Sequence, residues 1–381
     1  MSSPGEYKII RFIYLLSVGL SLVLTVPLIF QNLMPYLLLF LFFLTLLAAG
    51  WIALRWTEKR NRPAGFFMTI TMLNLLFIAP ELLLRDFRFR YESGIQFGHP
   101  RPTHFLHFIN DEQLFWRLNP EHRGVNSFGF PGKEIEIPKP DSTFRLLYLG
   151  DSCTQQGYPE KVENRLNRSG EDTLRFESVP LALSGYTSHQ GKIVATRYGL
   201  GTDPDAVFIY YGWNDHWLAF GAGDSEKQIR ETPKWFSLIM HSRTVQWIFW
   251  VQNKLKGREI KPLDTVRVPL DEYRENIQTI ISLFQDRGIP VILLTAPSAH
   301  RKLGIPDYLI DSHFAKDKPS IIRMHEAYND VIRSLARENH VPLLDLASRL
   351  EAKPAKEIQN LFLSDGIHFT EAGLDTIAGQ I

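Results

Sequence analysis

Two short stretches at opposite ends of the soluble part of this chain hold the residue types of nucleophilic catalysis. The first is Gly150-Asp151-Ser152, at the end of an apolar run. The second is Asp365-Gly366-Ile367-His368, just ahead of the final helical pattern. A serine hydroxyl attacks a carbonyl only when a neighbouring base takes its proton. An imidazole titrates near neutrality and suits that role, and a carboxylate fixes its tautomer and stabilises the imidazolium. Asp365 and His368 are three residues apart, so one turn lets the carboxylate accept from one ring nitrogen while the other faces a serine. Two more stretches offer hydrogen-bond donors for a tetrahedral oxyanion. Gly185, in Leu183-Ser184-Gly185-Tyr186, brings a backbone N–H close to a substrate oxygen, and Asn214, in Gly212-Trp213-Asn214-Asp215, offers a side-chain amide. Taken singly, each stretch also reads as ordinary structure: a loop serine, a helix-capping Asp365, a turn at 212–215, a loop at 184–186.

The elements needed to bring these stretches together are legible. Apolar, β-type runs lie at 144–149, 178–183, 206–211, 291–295 and 342–346. Helical patterns fall between them, from about Pro159, at 270–287 and at 320–339, with a last one at 370–381. Strands alternating with helices predict a parallel sheet covered on both faces. In such sheets ligands bind beyond the carboxyl ends of the strands, which is where the four stretches are expected.

In their order, and in their placement at strand ends, Gly150-Asp151-Ser152, Gly185, Gly212-Trp213-Asn214-Asp215 and Asp365-Gly366-Ile367-His368 resemble the SGNH (GDSL-type) hydrolase superfamily, in its membrane-anchored bacterial form. The resemblance covers roughly 144–381. It implies a flavodoxin-like three-layer α/β fold with a five-stranded parallel sheet. It implies Ser152 as nucleophile, His368 as base, Asp365 as its partner, and an oxyanion hole from Ser152, Gly185 and Asn214, with no cofactor and no metal. The segment 125–130 is similar to one found upstream of the serine in membrane-anchored members. Cys153 stands where the eponymous motif has leucine. No Gly-x-Ser-x-Gly elbow is present, so the α/β-hydrolase fold is the poorer match. The stretch 216–266 is longer than a minimal member needs. It holds two aromatic-rich segments, at 235–240 and 245–251, that read as a lid, a bilayer-dipping surface or a core-packed extra helix.

Composition limits the remaining choices. The 381 residues carry 42 basic and 41 acidic side chains, a net charge of +1, and 45% are hydrophobic. Near-neutral charge without a basic–aromatic stripe argues against a nucleic-acid partner. A single cysteine excludes an intrachain disulfide or cysteine-based zinc site. His189, His216 and His300 read as pocket-lining or as ordinary polar groups. The runs 9–30 and 33–54 are long and apolar enough to cross a ~30 Å hydrocarbon layer, and 66–84, with Asn74, Pro80 and Glu81, reads as a third span or an interfacial helix. Residues 1–84 are thus expected to be an all-α transmembrane region. Residues 85–143 are expected to be a tether packing on the soluble domain, and 144–381 the catalytic domain with its insertion at 216–266. Lys8 before the first span and Arg11 near its start, with Arg55, Lys59, Arg60 and Arg62 after the second, are expected to place those segments in the cytoplasm. Three crossings then put the soluble domain on the extracytoplasmic, periplasmic side of an inner membrane.

The expected function is a membrane-anchored serine esterase acting on acyl esters of envelope polysaccharide or lipid. The same residues suit an O-acyltransferase. A non-catalytic scaffold, whose spans dock onto a membrane-protein partner, is the alternative from a different class.

Overall fold

The computed structural model describes residues 108–169, 174–228, 242–256 and 262–381, together with Phe12, Trp51, Arg55, Ile239 and most of 80–89. The three apolar runs lie almost wholly outside the described residues, and among those described no helix is long and apolar enough to cross a membrane. The chain divides into two compact units, Met1–Glu92 with Pro233–Arg258, and Ser93–Thr232 with Glu259–Ile381.

The larger unit begins with a hairpin of β1 (Phe108–Asp111) and β2 (Phe115–Leu118). The Asp111 carboxylate closes the connection by accepting the N–H groups of Gln113 and Leu114. No periodicity marks this hairpin, because the strands are short and the β2 side chains Phe115 and Trp116 are both buried.

The central sheet contains β3 (Thr143–Gly150), β4 (Arg175–Ala182), β5 (Ala206–Tyr210), β8 (Val291–Leu294) and β9 (Leu343–Leu344). Their order is β4-β3-β5-β8-β9 and every pairing is parallel. Along β3 the side chains alternate between two cores. Leu147 and Leu149 join helices Leu270–Gln285 and Lys318–Glu338 on one face, and Leu146 and Tyr148 join Val162, Leu374 and Ile377 on the other. A strand buried on both faces reads as a continuous apolar run, which is why 144–149 is so plain in the sequence. The expected three-layer α/β fold with a five-stranded parallel sheet is therefore present. Observed strand ends differ from the expected ones by up to three residues, most at the start of β4, and β9 pairs over only two residues.

After β3 the chain fills the neighbouring β4 position, then crosses β3 to form β5, so the order reverses at β3. Such a switch point opens a crevice at the carboxyl ends of the strands. Register does the rest: Gly150 of β3 sits beside both Ala182 of β4 and Tyr210 of β5. The three loops that follow these strands therefore leave the sheet side by side. The insertion begins and returns through a small antiparallel ladder, β6 (Leu218–Phe220) with β7 (Pro262–Val266).

In the smaller unit, helix Arg243–Lys256 starts against the Glu81 carboxylate, which accepts from Ser242 Oγ and from the backbone N–H of Arg243 and Thr244. Trp247, Trp250 and Leu255 of this helix are exposed, while Thr244 and Gln246 are buried.

Candidate active site

Ser152 opens the short helix Ser152–Gln155 immediately after β3. Asp151 caps that helix by accepting the Cys153 N–H at 2.9 Å. Asp151 is wholly buried, and burial pushes its carboxyl up to about 7 against the opposing pull of the Cys153 amide and of His368. At the far end of the chain, two short helices, Leu346–Glu351 and Ala355–Leu361, intervene between β9 and the loop that holds Asp365 and His368.

That loop returns to the serine. Ser152 Oγ lies 2.8 Å from His368 Nε2, and His368 Nδ1 lies 2.6 Å from Asp365 Oδ2. The second oxygen of Asp365 accepts the N–H groups of Ile367 and His368, both at 2.9 Å. These bonds fix the carboxylate, which accepts a hydrogen bond from the Nδ1–H and so leaves Nε2 free to accept from the serine hydroxyl. Burial alone would raise the Asp365 carboxyl, but the bonds from His368 and the two amides outweigh it and hold the group below its ordinary value. For His368 burial works downward, and the neighbouring Asp365 and Asp151 outweigh it, so the imidazole titrates above its ordinary value.

The two expected donors border this pair. The turn at 183–186 follows β4, with the Tyr186 N–H bonded to Leu183 O at 3.1 Å and Gly185 at φ +84°. A Cβ at Gly185 would come within 3.1 Å of the Trp116 ring, so glycine answers both the backbone and the space. Asn214 follows β5. Its amide donates to Tyr186 O at 3.0 Å and points a longer, 3.4 Å contact at Asp151 Oδ2, so one of its two protons is loosely held. The structure thus gathers all five sequence-derived residues at one crevice.

The three noted histidines do not touch Ser152 or His368. His300 is buried and donates from Nε2 to the backbone oxygen of Asp365 at 2.7 Å, bracing the loop. His216 is buried against His325, their ring nitrogens 3.2 Å apart, and burial holds both below the ordinary imidazole value. His189 stacks on Phe115. Among the described residues, no cluster of three histidine, cysteine or carboxylate side chains is arranged to hold a metal ion.

Sequence reasoning missed several supporting side chains. Gln156 exchanges two hydrogen bonds with the backbone of Phe369, next to His368. Gln155 accepts from both the N–H and hydroxyl of Ser184. No local signal marks a glutamine for such work. Arg267 had one, a charge between two valines, and it is completely buried.

A sequence profile describing the GDSL-like Lipase/Acylhydrolase family matches residues 148–375, well over half of the chain. No curated protein matches. Solved structures that resemble this chain include a lipase/acylhydrolase from Enterococcus faecalis, 16% identical, covering 62% of this chain and 92% of its own with a TM-score of 0.41. An acetyl xylan esterase is 19% identical over 62% of this chain and 97% of its own, with a TM-score of 0.42. A GDSL-like lipase from Bacteroides thetaiotaomicron is 17% identical over 62% and 84%, with a TM-score of 0.39.

Proposed function

Because the chain belongs to the GDSL-like Lipase/Acylhydrolase family, we propose that it hydrolyses acyl esters through Ser152, His368 and Asp365. The observation that carries this reading is the continuous path from Ser152 Oγ to His368 Nε2 at 2.8 Å and from Nδ1 to Asp365 at 2.6 Å. Ser152 Oγ attacks the ester carbonyl while His368 Nε2 takes its proton. The oxyanion is met by the Ser152 and Gly185 backbone N–H groups and by the loosely held proton of Asn214. His368 then protonates the leaving alcohol, and the acyl group stays on Ser152. Water, deprotonated by the same nitrogen, releases the acid and restores the serine.

The family supports an ester substrate; we assign the ester to envelope glycan or lipid on the strength of the three apolar runs, which would hold the enzyme at a membrane. The exposed Trp247, Trp250 and Leu255 on the helix held by Glu81 support the same assignment, since tryptophans favour the membrane interface. Acyl transfer to a sugar hydroxyl would use the same residues, with the acceptor in place of water, and turnover that requires added polysaccharide would identify it.

Labelling by a fluorophosphonate probe tests the reading. Wild-type protein should be labelled at one site and Ser152→Ala should not. A folded wild type that stays unlabelled would favour a non-catalytic scaffold docked on a membrane-protein partner.

A further inference from the structure

A buried ion pair at the neck of the insertion reaches the turn that carries Gly185. Asp224 lies just beyond β6 and Arg267 just beyond β7. Their backbones are joined, with the Asp224 N–H donating to Arg267 O at 2.8 Å. Their side chains are joined twice, Arg267 Nη2 to Asp224 Oδ2 at 2.8 Å and Nε to Oδ1 at 3.2 Å. Neither side chain has exposed surface. Burying two charges costs as much as their attraction returns, and an apolar pair often holds such a position equally well. The charges therefore call for a role beyond closing the neck.

The remaining contacts supply it. Arg267 Nη1 donates to Gly185 O at 2.8 Å, and Thr187 Oγ1 lies 2.9 Å from Asp224 Oδ2. Both contacts fall on the loop that follows β4. The turn there has glycine third and at positive φ, while Ser184 is not at positive φ, which is the type II form. In type II the central peptide is turned over relative to type I. That peptide carries the Gly185 N–H. Glycine can occupy either form at little steric cost, so the residue itself does not decide which way its N–H points. The peptide that follows keeps nearly the same place in both forms, so the bond from Arg267 to Gly185 O fixes where the turn as a whole sits.

We propose that Arg267, itself held by Asp224, is a positioning residue for the oxyanion site: its bond to Gly185 O, with the Thr187–Asp224 bond, anchors the 183–186 turn and so sets where the Gly185 N–H lies relative to the oxygen that gains charge when Ser152 attacks. The kinetic part of this inference rests on the serine-hydrolase reading; the conformational part does not.

The test uses the full chain with Arg267→Met and Arg267→Lys. In Arg267→Met, Asp224 keeps Lys227 as counter-ion at 2.8 Å, so no lone charge is left buried. Active sites are counted by fluorophosphonate labelling to completion, and kcat per labelled site is measured on a soluble nitrophenyl ester. Loss of one oxyanion donor costs about 10²–10³-fold in kcat, so Arg267→Met should lose close to that, with KM within a few-fold of wild type. Arg267→Lys, which retains one donor, should recover part of it. A purely structural role would lower the melting temperature and the count of active sites while leaving kcat per site unchanged, and that result overturns the proposal. Should Arg267→Met fail to fold, Arg267→Lys decides: wild-type kcat per site in a variant whose crystal structure shows no bond to Gly185 O overturns the proposal equally. Crystal structures of the variants form the second arm. Displacement of the 183–186 turn from its wild-type place supports the proposal, and an unmoved turn in Arg267→Met sinks it. Should wild-type protein take no label, the hydrolase reading fails and this structural arm alone decides the conformational claim.

Discussion

At residue scale the proposed mechanism makes the balance between His368 and Asp365 set the pH behaviour. His368 must be neutral to take the serine proton, and its imidazole titrates above the ordinary value because Asp365 and Asp151 outweigh its burial. Activity should therefore fall as pH drops through a point above ~6.5, the ordinary histidine value. Asp365→Asn removes the stabilising carboxylate, so the acid limb of kcat/KM should move to lower pH. The same variant should lower kcat toward ~10⁴-fold, because the amide offers its N–H to the wrong ring tautomer. A pH profile of both proteins checks this, and an unmoved acid limb would count against His368 as the base. The stability signs follow from the same shifts. The raised imidazole contributes stability at low pH that is lost as pH climbs through its folded value, and the lowered Asp365 contributes stability that is lost as pH falls through its own.

At the scale of elements, the serine loop and the histidine loop are separate pieces of chain that must be clamped together. Gln156 does this with its side-chain amide, accepting the Phe369 N–H at 3.0 Å and donating to Phe369 O at 3.2 Å. Each such bond contributes a net ~1 kcal/mol, so Gln156→Leu should lower stability by about 1–2 kcal/mol. It should also slow acylation while leaving KM nearly unchanged, since it loosens the Ser152–His368 distance and not the ester's binding. Denaturant unfolding and single-turnover kinetics measure the two effects. Stability that falls while acylation keeps its wild-type rate would show that the clamp is irrelevant to chemistry. The fold was legible at this scale because strands buried on both faces announce themselves as apolar runs. The β1–β2 hairpin was not, since four-residue strands hold too few positions for a period to show. Gln156 was not legible either: its partner is a backbone amide 213 positions away, and nothing about a glutamine foretells that.

For the whole molecule the prediction concerns where it resides. On the proposed reading, the charges around the apolar runs 9–30, 33–54 and 66–84 would put the amino terminus and the 55–62 loop in the cytoplasm, and three crossings would carry residues 85–381 outside. The full chain should stay with the membrane fraction through an alkaline carbonate wash. A reporter fused after Ile381 and active only outside the cytoplasm should be active. A cytoplasmic reading would mean that 66–84 does not cross. The catalytic assignment would stand, while the assignment to envelope esters would fall.

The sequence by itself determined which residues are the candidates for the chemistry, their order and the parallel sheet that carries them. These depend on features local in the chain: apolar runs, glycines after strands, and a carboxylate three residues from an imidazole. The tertiary structure alone decided how those groups are held. Parallel register set Gly150 beside Ala182 and Tyr210 and so brought three loops to one edge. Burial drove up the Asp151 carboxyl, and a guanidinium 82 positions from Gly185 came to rest on that glycine's carbonyl. Desolvation and long-range hydrogen bonds arise only once the chain has closed on itself, and no spacing along it encodes them.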